Sequence, residues 1–510
     1  MKIGTITAIC LALGHATAQD AYGHPPPTKP QNKVKTFPPQ GDFTVNPDTH
    51  LVLEFDSPPE IGNSGLIRIY DVFANKVVDT LNMSIPASPN PSGRAPTADG
   101  STTSPPPADP NDKNPYQVNI IGGLDFYFFP IIVRGNVATI YPHNNVLKYG
   151  RVYKVTVDPE VLKASKGTFD GFSDRSPWIF STKLFPPSLE SKRLTVSNDG
   201  RGDFNTVQGA VDFVPENYAQ RVNIYVKDGN YEELIFIQNK RNLVIRGQSR
   251  EKTIVGYPNN SAFNPSRGGP SRRPAFTLYN TTDIQLSSLT INNYFIGQAE
   301  ALLVRGERII IDHVSLNGSG DAFTTYGTIY FVDSSIIGHG DTVLGYAAVY
   351  YLRSRIDSIG PFTWTRTPEG SHGNVFVNST LAAIDEPLPW TVTPENPAGQ
   401  KVKSVYGRLP NNGKGNTTAN FPFAEMVLIN TKTSGVSAEG WDPIQGPPFD
   451  TSNVKFWEYA TTDLEGVLVD TSKRHNVSRQ LKLPKDAQII QDYSNPAFVL
   501  NGWTPVVVTE

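Results

Sequence analysis

The chain has 510 residues, of which 38% are hydrophobic, and a formal net charge of −3. This length exceeds one ordinary compact core, so we expect two domains or one elongated repeat domain with an accessory module. The nearly balanced charge argues against a nucleic-acid partner or a charged membrane surface as the binding target.

The first 18 residues have the organisation of a secretory signal peptide. Met1-Lys2 precede a largely apolar run at 6–13, which is followed by Ala16-Thr17-Ala18. We predict cleavage after Ala18 and a secreted, extracellular protein. The apolar run is too short to span a bilayer, so no membrane anchor is expected. The single cysteine, Cys10, lies inside this run, and the exported chain is therefore expected to lack disulfides.

Seven Asn-X-Ser/Thr sequons favour a glycoprotein made on a eukaryotic secretory route. Because short sequons also arise by chance, they support the prediction of secretion without carrying it. They begin at Asn82, Asn259, Asn280, Asn317, Asn378, Asn416 and Asn476.

Residues 19–38 are rich in proline and lack apolar periodicity, so they are predicted to form an extended linker. The next segment, 39–186, alternates apolar and polar residues, which predicts a small antiparallel β-sandwich that resembles an immunoglobulin-like module. A Pro/Ser/Asp-rich insertion within it, 84–115, is predicted to be a mobile loop. The predicted strands are 51–55, 66–70, 137–141, 153–157 and 178–182.

The pattern changes at Pro186-Pro187, and residues 187–510 contain recurring short β-rich blocks. Blocks aligned on Leu286, Ile311, Val332, Leu352 and Val377 give steps of 25, 21, 20 and 25 residues. A repeat of this length with Gly, Asn and Ser turns predicts a parallel β-helix, whose strands stack about 4.8 Å apart. A helix at 206–213, with Asn205 or Thr206 as N-cap, is predicted to cover the open end of this solenoid.

Three polar residues recur at nearly the period of the repeat. Gln298, Asp321 and Asp341 are 23 and 20 residues apart, so they are predicted to form a column with the carboxyl groups one rung apart. Two carboxyl groups this close cannot both ionise easily, which suits ester cleavage by a carboxylate nucleophile beside a proton donor. Each aspartate follows a glycine, so the alternative interpretation is a pair of turn residues that bond their own backbone.

Five motifs in this region occur in the order found in the pectin methylesterases, and residues 190–505 resemble that family. The motifs are Gly229-Asn230-Tyr231-Glu232-Glu233, Gln298-Ala299-Glu300-Ala301-Leu302, Asp321 with its flanking residues, Asp341-Thr342-Val343-Leu344-Gly345, and Tyr406-Gly407-Arg408. The resemblance implies an all-β protein whose catalytic domain, 187–510, is a right-handed parallel β-helix. It also implies a pectinesterase, a carbohydrate esterase that acts in cell wall modification and pectin degradation.

The resemblance also implies a role for each site residue. Asp341 would attack the C6 methyl ester of a galacturonate residue, and Asp321 would act as general acid and then as general base. Gln298 would donate to the oxyanion, and Arg408 would hold Asp341 ionised and oriented. The implied partner is methyl-esterified pectin, with no metal or cofactor, no nucleic acid and no membrane, and a monomer is the default expectation.

The sequence departs from the family at two places. Gly320 stands where the family has a second glutamine, so half of the oxyanion hole is missing or supplied differently, and Gly320→Gln is expected to leave activity unchanged or raise it. Arg408 is followed by Leu409-Pro410 and not by the family's Pro-Trp pair. Other aromatic residues would then have to stack on the sugar rings. The candidates are Trp364, Tyr326, Tyr346 and Tyr406.

Two other functional classes remain open. A polysaccharide lyase or glycosidase on the same solenoid would need a Ca²⁺ site or a more widely separated carboxylate pair. A catalytically weakened pectin-binding protein is compatible with Gly320 and with the accessory module. Gln298 and Arg408 favour the esterase, and release of methanol from esterified pectin would separate the three classes.

Overall fold

The computed structural model describes residues 34–94, 115–408, 421–442 and 450–509. The predicted signal peptide at 1–18, with Cys10, and the sequon at Asn416 lie outside these residues, as does most of the predicted linker. The linker prediction is wrong at its C-terminal end, because Lys35–Phe37 form a strand that pairs antiparallel with Leu51–Glu54. Among the described residues, no helix combines the length and apolar character needed to cross a bilayer.

The N-terminal part of the chain forms antiparallel sheets, and all five predicted strands are present. The strands are β1 Lys35–Phe37, β2 Leu51–Glu54, β3 Glu60–Ile61, β4 Leu66–Asp71, β5 Lys76–Asn82, β6 Val118–Ile121, β7 Leu124–Tyr127, β8 Ile131–Arg134, β9 Val137–Ile140, β10 Val152–Val157, β11 Leu162–Lys163 and β12 Trp178–Ser181. Two four-stranded sheets, ordered β1-β2-β9-β8 and β12-β10-β4-β5, contribute to one apolar core.

The insertion after β5 is packed against the rest of the protein in its described part, 84–94. Ser88 is fully buried, and the side-chain amide of Asn260 donates to the carbonyl oxygen of Gly93. The prediction of a mobile loop is therefore wrong for these residues. Residues 95–114 of the insertion lie outside the described part of the chain.

The C-terminal part is a right-handed parallel β-helix, as predicted. Its strands form one long parallel sheet and a second, eight-stranded parallel sheet. They are β13 Arg193–Val196, β14 Val222–Val226, β15 Gly229–Glu232, β16 Ile235–Gln238, β17 Arg241–Gly247, β18 Thr253–Tyr257, β19 Phe276–Ser287, β20 Thr290–Asn293, β21 Leu302–Asp312, β22 Ser315–Asn317, β23 Phe323–Val332, β24 Ser335–His339, β25 Val343–Gly345, β26 Ala348–Leu352, β27 Arg355–Ile359, β28 Thr363–Thr365, β29 Asn374–Val377, β30 Thr380–Ala383, β31 Gly407–Arg408, β32 Glu425–Ile429, β33 Lys432–Ser434, β34 Lys455–Tyr459 and β35 Ser478–Gln480.

Strand pairing corrects one step of the predicted repeat. Ile311 pairs with Phe331 and not with Val332, so this step is 20 residues long, whereas the other three predicted steps are confirmed. By residue type alone, Asp312 matches Asp333. In the structure His313 is the residue equivalent to Asp333, because both adopt the left-handed conformation that ends each strand of this column, with φ of 53° and 49°.

The predicted end helix is confirmed as α1, Val207–Phe213, with Thr206 as its N-cap. Carboxylates from elsewhere in the chain also bind at its N-terminus. Asp48 Oδ2 accepts hydrogen bonds from the backbone N–H groups of Asn205 and Thr206, both at 2.8 Å. The Glu233 carboxylate accepts from the first two backbone N–H groups of α1. These carboxylates satisfy donors that a helix leaves unpaired at its N-terminus.

The N-terminal antiparallel sheets, here called the sandwich, and the solenoid share an apolar core at the end of the solenoid covered by α1. Phe236 and Tyr257 of the solenoid belong to the same buried cluster as the sandwich residues, and the rings of Phe126 and Phe236 lie 5.8 Å apart. A cavity of about 350 Å³ at this junction, distant in the chain from the paired aspartates, includes Asp48 and Glu233 in its lining. The N-terminal part therefore covers the solenoid end together with α1.

Two further features of the C-terminal part were not expected. The helices α2, Ala487–Tyr493, and α3, Pro496–Val499, pack on the solenoid wall through Tyr493 and Val499, which share a buried cluster with Tyr350. The sequon at Asn259 is wrong as a glycosylation site for the folded chain, because this side chain is fully buried and donates to the carbonyl oxygens of Arg272 and Pro274.

Candidate active site

Asp321 and Asp341 occupy equivalent turns on neighbouring rungs. Each lies two residues before the start of its strand, and the starting residues, Phe323 and Val343, pair with one another. The backbone N–H of Phe323 donates to Thr342 O at 2.9 Å, which holds the two turns in register. Both aspartates have positive φ, 57° and 47°, a conformation that aspartate tolerates. The ladder therefore separates the two turns by one strand spacing, about 4.8 Å.

Gln298 lies on the preceding rung, one residue out of the predicted column. Its backbone bridges to Gly320 and not to Asp321, and Ala299 N donates to Gly320 O at 3.2 Å. The side chain is exposed and makes no hydrogen bond to any residue that the structure describes. Its amide is therefore uncommitted beside the turn that carries Asp321.

Arg408 forms an ion pair with Asp341, with 2.8 Å between Nη2 and Oδ2. The pair arises because β31, which ends at Arg408, stacks on β28, and β28 stacks on β25 just after Asp341. The second carboxylate oxygen, Oδ1, has no hydrogen-bond partner among the described residues. Burial raises the pKa of Asp341 to about 7, and Arg408 opposes this rise.

A second guanidinium, which the sequence analysis missed, lies beside the other aspartate. Arg273 donates from Nε to Oε1 of Glu300 at 2.5 Å, and its Nη2 lies 3.3 Å from Oδ2 of Asp321. Glu300 is fully buried, and burial raises its pKa to about 7. Burial also raises the pKa of Asp321, against the effect of Arg273. A charged residue next to the apolar run 301–304 was the signal that a buried partner exists.

Gly320 leaves no room for the glutamine that the family has at this position. A Cβ atom there would lie 2.7 Å from the carbonyl oxygen of Gly297, and the backbone N–H of Gly320 donates to that same oxygen at 2.6 Å. The contact is with backbone, so a side chain requires the rung to move. The expectation that Gly320→Gln preserves or raises activity is therefore not supported by this geometry.

Comparison with known proteins assigns the solenoid to a family. The sequence model of the pectinesterase family matches residues 193–419, which include the paired aspartates and Arg408. Residues 193–419 belong to the pectinesterase family. The wider match to the pectinesterase/pectinesterase inhibitor 18 of Arabidopsis thaliana is 27% identical over 65% of this chain and 58% of that protein. Pectinesterase 4 of the same plant is 33% identical over 25% of this chain and 22% of that protein.

The chain thus spans less than two thirds of the length of these curated relatives. Among solved structures, the pectin methylesterase from Erwinia chrysanthemi is similar with a TM-score of 0.49 and 24% identity, covering 62% of this chain and 98% of that one. The pectin methylesterase from carrot has a TM-score of 0.48 and 20% identity, covering 63% of this chain and 95% of that one.

Two of the four aromatic residues proposed to stack on substrate cannot do so in this solenoid. Tyr406 is fully buried and packs against Trp441, with ring centroids 5.4 Å apart, so its assignment was wrong. The indole of Trp364 is covered on both faces: the guanidinium carbons of Arg366 and Arg408 lie 3.5 and 3.8 Å from its centroid. Two groups this close to one centroid can only occupy opposite faces, so a sugar ring can meet only the edge of this indole.

Tyr326 and Tyr346 remain placed to meet a ligand. They are half-buried and stacked on one another, with ring centroids 4.7 Å apart and an interplanar angle of 9°. Arg366, which the sequence analysis also missed, donates to the phenol oxygen of Tyr346. Arg366 and Arg408 pack on the same Trp364 ring, so Arg366 lies within the same site. Burial raises the pKa of Asp321 and Asp341, and the Arg366 guanidinium opposes this rise. The site therefore holds three arginines beside two buried carboxyl groups, Glu300 and Asp321, and the half-buried Asp341.

Proposed function

We propose that this chain hydrolyses C6 methyl esters of polygalacturonate in pectin and releases methanol, through a covalent intermediate on paired aspartates. The observation that supports this most directly is the placement of Asp321 and Asp341 in equivalent turns of adjacent rungs, each with a guanidinium at 2.8 to 3.3 Å. Membership of residues 193–419 in the pectinesterase family supports the reaction class.

In the first step, the Asp341 carboxylate attacks the ester carbonyl carbon. Its Oδ2 contacts Arg408, and its Oδ1 has no hydrogen-bond partner among the described residues but is closed off from solvent, so the carboxyl group has to rotate to present an oxygen to the ester. The carbonyl oxygen gains negative charge, and the side-chain amide of Gln298, uncommitted on the neighbouring rung, donates to it. The tetrahedral species collapses as methoxide leaves with the proton of Asp321, which gives methanol and an acyl anhydride on Asp341.

In the second step, Asp321, now a carboxylate, takes a proton from water. The resulting hydroxide attacks the acyl carbon, the bond to Asp341 breaks, and the product leaves as a uronic acid, which then loses its proton to solvent. The cycle restores a protonated Asp321 and an ionised Asp341. None of these steps uses a metal or a cofactor.

The electrostatics of the site support this division of roles. Burial raises the pKa of both aspartates, and the charge of Asp321 raises that of Asp341 further, so the pair favours a state in which one of the two carboxyl groups holds a proton. Asp341 has the closer ion pair, 2.8 Å to Arg408 against 3.3 Å from Asp321 to Arg273. Arg273 also divides its charge between Asp321 and Glu300. We therefore assign the ionised form to Asp341 and the protonated form to Asp321.

The proposal includes the setting in which the enzyme works. The signal-like segment 1–18 supports secretion, and the substrate would then be pectin of plant cell walls outside the cell. Action as a monomer is part of the same proposal.

The test is methanol release from highly esterified pectin by the full chain and by Asp341→Asn and Asp321→Asn. Asp333→Asn is the matched control, because Asp333 has the same left-handed backbone on the same solenoid but pairs with Arg353 outside the site. We expect both site variants to lose at least about a thousandfold in kcat, and the control to retain activity. Near-normal turnover by either site variant contradicts the mechanism. Absorbance of unsaturated uronide without methanol would indicate a lyase. Binding of pectin without formation of either product would indicate a catalytically weakened enzyme.

A further inference from the structure

Ser319 and His339 occupy equivalent positions on neighbouring rungs, each two residues before one of the paired aspartates. Their side chains are in contact, with 3.0 Å between Ser319 Oγ and His339 Nδ1. The backbone joins the same two residues, because His339 N donates to Ser319 O at 3.2 Å. Ser319 is buried, with 1% of its surface exposed. We call these two side chains the Ser/His pair.

The Ser/His pair also contacts the preceding rung, at the turn that carries Gln298. The backbone N–H of Gly297 donates to Ser319 Oγ at 3.2 Å. Main-chain bonds hold the same turn, since Gly320 N donates to Gly297 O at 2.6 Å and Ser319 N donates to Ala299 O at 3.0 Å. A side-chain hydroxyl therefore fixes the residue just before Gln298, and this hydroxyl is in turn bound to His339.

The position of each proton in this contact follows from the donors present. A serine hydroxyl has one hydrogen and two lone pairs. The Gly297 N–H occupies one lone pair of Oγ, and among the described residues the hydroxyl hydrogen has only His339 Nδ1 as acceptor. The arrangement is therefore complete when His339 is neutral with its proton on Nε2. Burial lowers the pKa of His339, against the opposing effect of Glu386, which favours this neutral form.

The same contacts argue against Ser319 as a nucleophile. A serine nucleophile has to reach the substrate, and its histidine is oriented by a third group. Ser319 is buried, and no carboxylate among the described residues hydrogen-bonds to His339. The Ser/His pair is therefore suited to holding a turn and not to attacking an ester.

We propose that His339 is a positioning residue that acts through Ser319 on the turn of Gln298, the proposed oxyanion donor. This inference rests on the proposed function for the role of Gln298. The turn alone fixes the Gln298 amide, because that side chain makes no hydrogen bond to any residue that the structure describes. Gly320 supplies no second amide. A donor misplaced by about 1 Å costs on the order of a hundredfold in rate, so the position of this turn determines the rate of the first step.

Methanol release by variants of the full chain tests the assignment. Ser319→Ala and His339→Phe remove the contact, whereas His339→Asn keeps an acceptor near the position of Nδ1. Because main-chain bonds still hold the turn in part, we expect about a tenfold loss of kcat with little change in KM for the first two. His339→Asn should retain about half of the parent kcat or more.

Ser334→Ala is the matched control. Ser334 is also buried, and its Oγ accepts from the backbone N–H of Val314 on the preceding rung at 2.9 Å. It lies between β23 and β24, whereas Ser319 lies between β22 and β23. Ser334→Ala should lose stability to a similar extent in thermal unfolding but keep the parent kcat.

A double-mutant cycle separates positioning from a general loss of order. If His339 acts through Gln298, His339→Phe costs less than about twofold in kcat once Gln298→Ala is present. The same loss in both backgrounds overturns the inference. An equal loss of kcat in Ser334→Ala, or no rescue in His339→Asn, also overturns it.

Amide hydrogen exchange of a peptide that contains Gly297 gives a readout independent of catalysis. Exchange should be faster in Ser319→Ala and His339→Phe than in the parent chain and in Ser334→Ala, because the Gly297 N–H loses its acceptor or that acceptor loses its anchor. Unchanged exchange overturns the positioning role. A chain that releases no methanol but shows this change in exchange refutes the proposed function alone.

Discussion

The Arg273 guanidinium lies between two carboxyl groups, 2.5 Å from Glu300 and 3.3 Å from Asp321. Glu300 is fully buried, so it depends on this cation for compensation of its charge. The same cation lowers the pKa of Asp321, which burial raises. Arg273 thus connects the stability of the rung to the protonation state of the proposed general acid.

Replacing Arg273 with methionine is expected to cost about 2 to 4 kcal/mol of unfolding free energy, because two buried carboxyl groups lose their counter-ion. The pKa of Asp321 should rise, and since the proposed acid must be protonated, the alkaline limb of the methanol-release profile should move to higher pH. Chemical denaturation and a pH–rate profile measure the two effects.

The double variant Arg273→Met, Glu300→Val separates these effects. Removal of both charges should restore most of the lost stability, but the alkaline limb should stay displaced, because Asp321 still lacks its cation. A limb that returns to its original position together with stability would assign Arg273 a structural role only.

The second prediction concerns the pH dependence of kcat/KM and its change in an Arg408 variant. The proposed nucleophile must be ionised, and the pKa of Asp341 is raised to about 7, so kcat/KM should increase as pH rises through about 7. Arg408→Met removes the cation that opposes this rise. We expect the acid limb to move up by about one pH unit, with about a hundredfold loss of kcat/KM at neutral pH.

Arg408→Lys is the control for charge alone. It should leave the acid limb near its original pH but lose part of the rate, because an ammonium cannot reproduce the orientation that a guanidinium gives. An acid limb that is the same in all three proteins would show that Asp341 is not the titrating group.

Gly320→Gln is the third prediction. The added Cβ meets the Gly297 carbonyl oxygen at 2.7 Å, so we expect about 1 to 3 kcal/mol of destabilisation and lower methanol release. Gly320→Ala should show a similar loss of stability, because the clash begins at Cβ. An unchanged melting temperature with higher turnover in the glutamine variant would show that the rung relaxes and that the missing amide limits the reaction.

The junction of sandwich and solenoid gives the fourth prediction. Because Phe236 and Tyr257 are buried in the sandwich core, residues 34–510 should unfold in a single cooperative transition by calorimetry. Asp48→Ala should lower stability by about 2 kcal/mol, since it leaves the N–H groups of Asn205 and Thr206 unpaired.

Asp42→Ala is the matched control, because among the described residues the Asp42 carboxylate accepts hydrogen bonds only from Thr44, within its own turn. It should change stability by less than about 0.5 kcal/mol. Two separate transitions in the parent chain, or equal effects of the two substitutions, would contradict a common core.

The repeat in the sequence was sufficient to predict the solenoid, because parallel coils need buried residues at a fixed period and left-handed turns between them. The register predicted from the repeat was wrong by one residue at Asp312 and Asp333, which are the same residue type but differ in backbone conformation. The pairing of Asp341 with Arg408 was implied by the resemblance to the pectin methylesterases and not by the repeat. The contacts of Arg273 and Arg366 were not predicted, because they depend on the conformations of long side chains, which a sequence repeat does not determine.

Burial was the other property that the sequence did not reveal. Tyr406 has the aromatic side chain of a sugar-binding residue, yet its ring is fully buried in the core. Trp364 lies at the site, but the two neighbouring guanidinium groups cover its faces. Both outcomes follow from packing between rungs that are far apart in the chain.

The hydrogen bond from Phe323 N to Thr342 O ties the interval between the two acids to main-chain geometry. Natural or laboratory variation of side chains cannot widen or narrow that interval without breaking the coil. Diversity in rate and pH range on this scaffold must then come from changing the cations and water around a fixed pair of carboxyl groups.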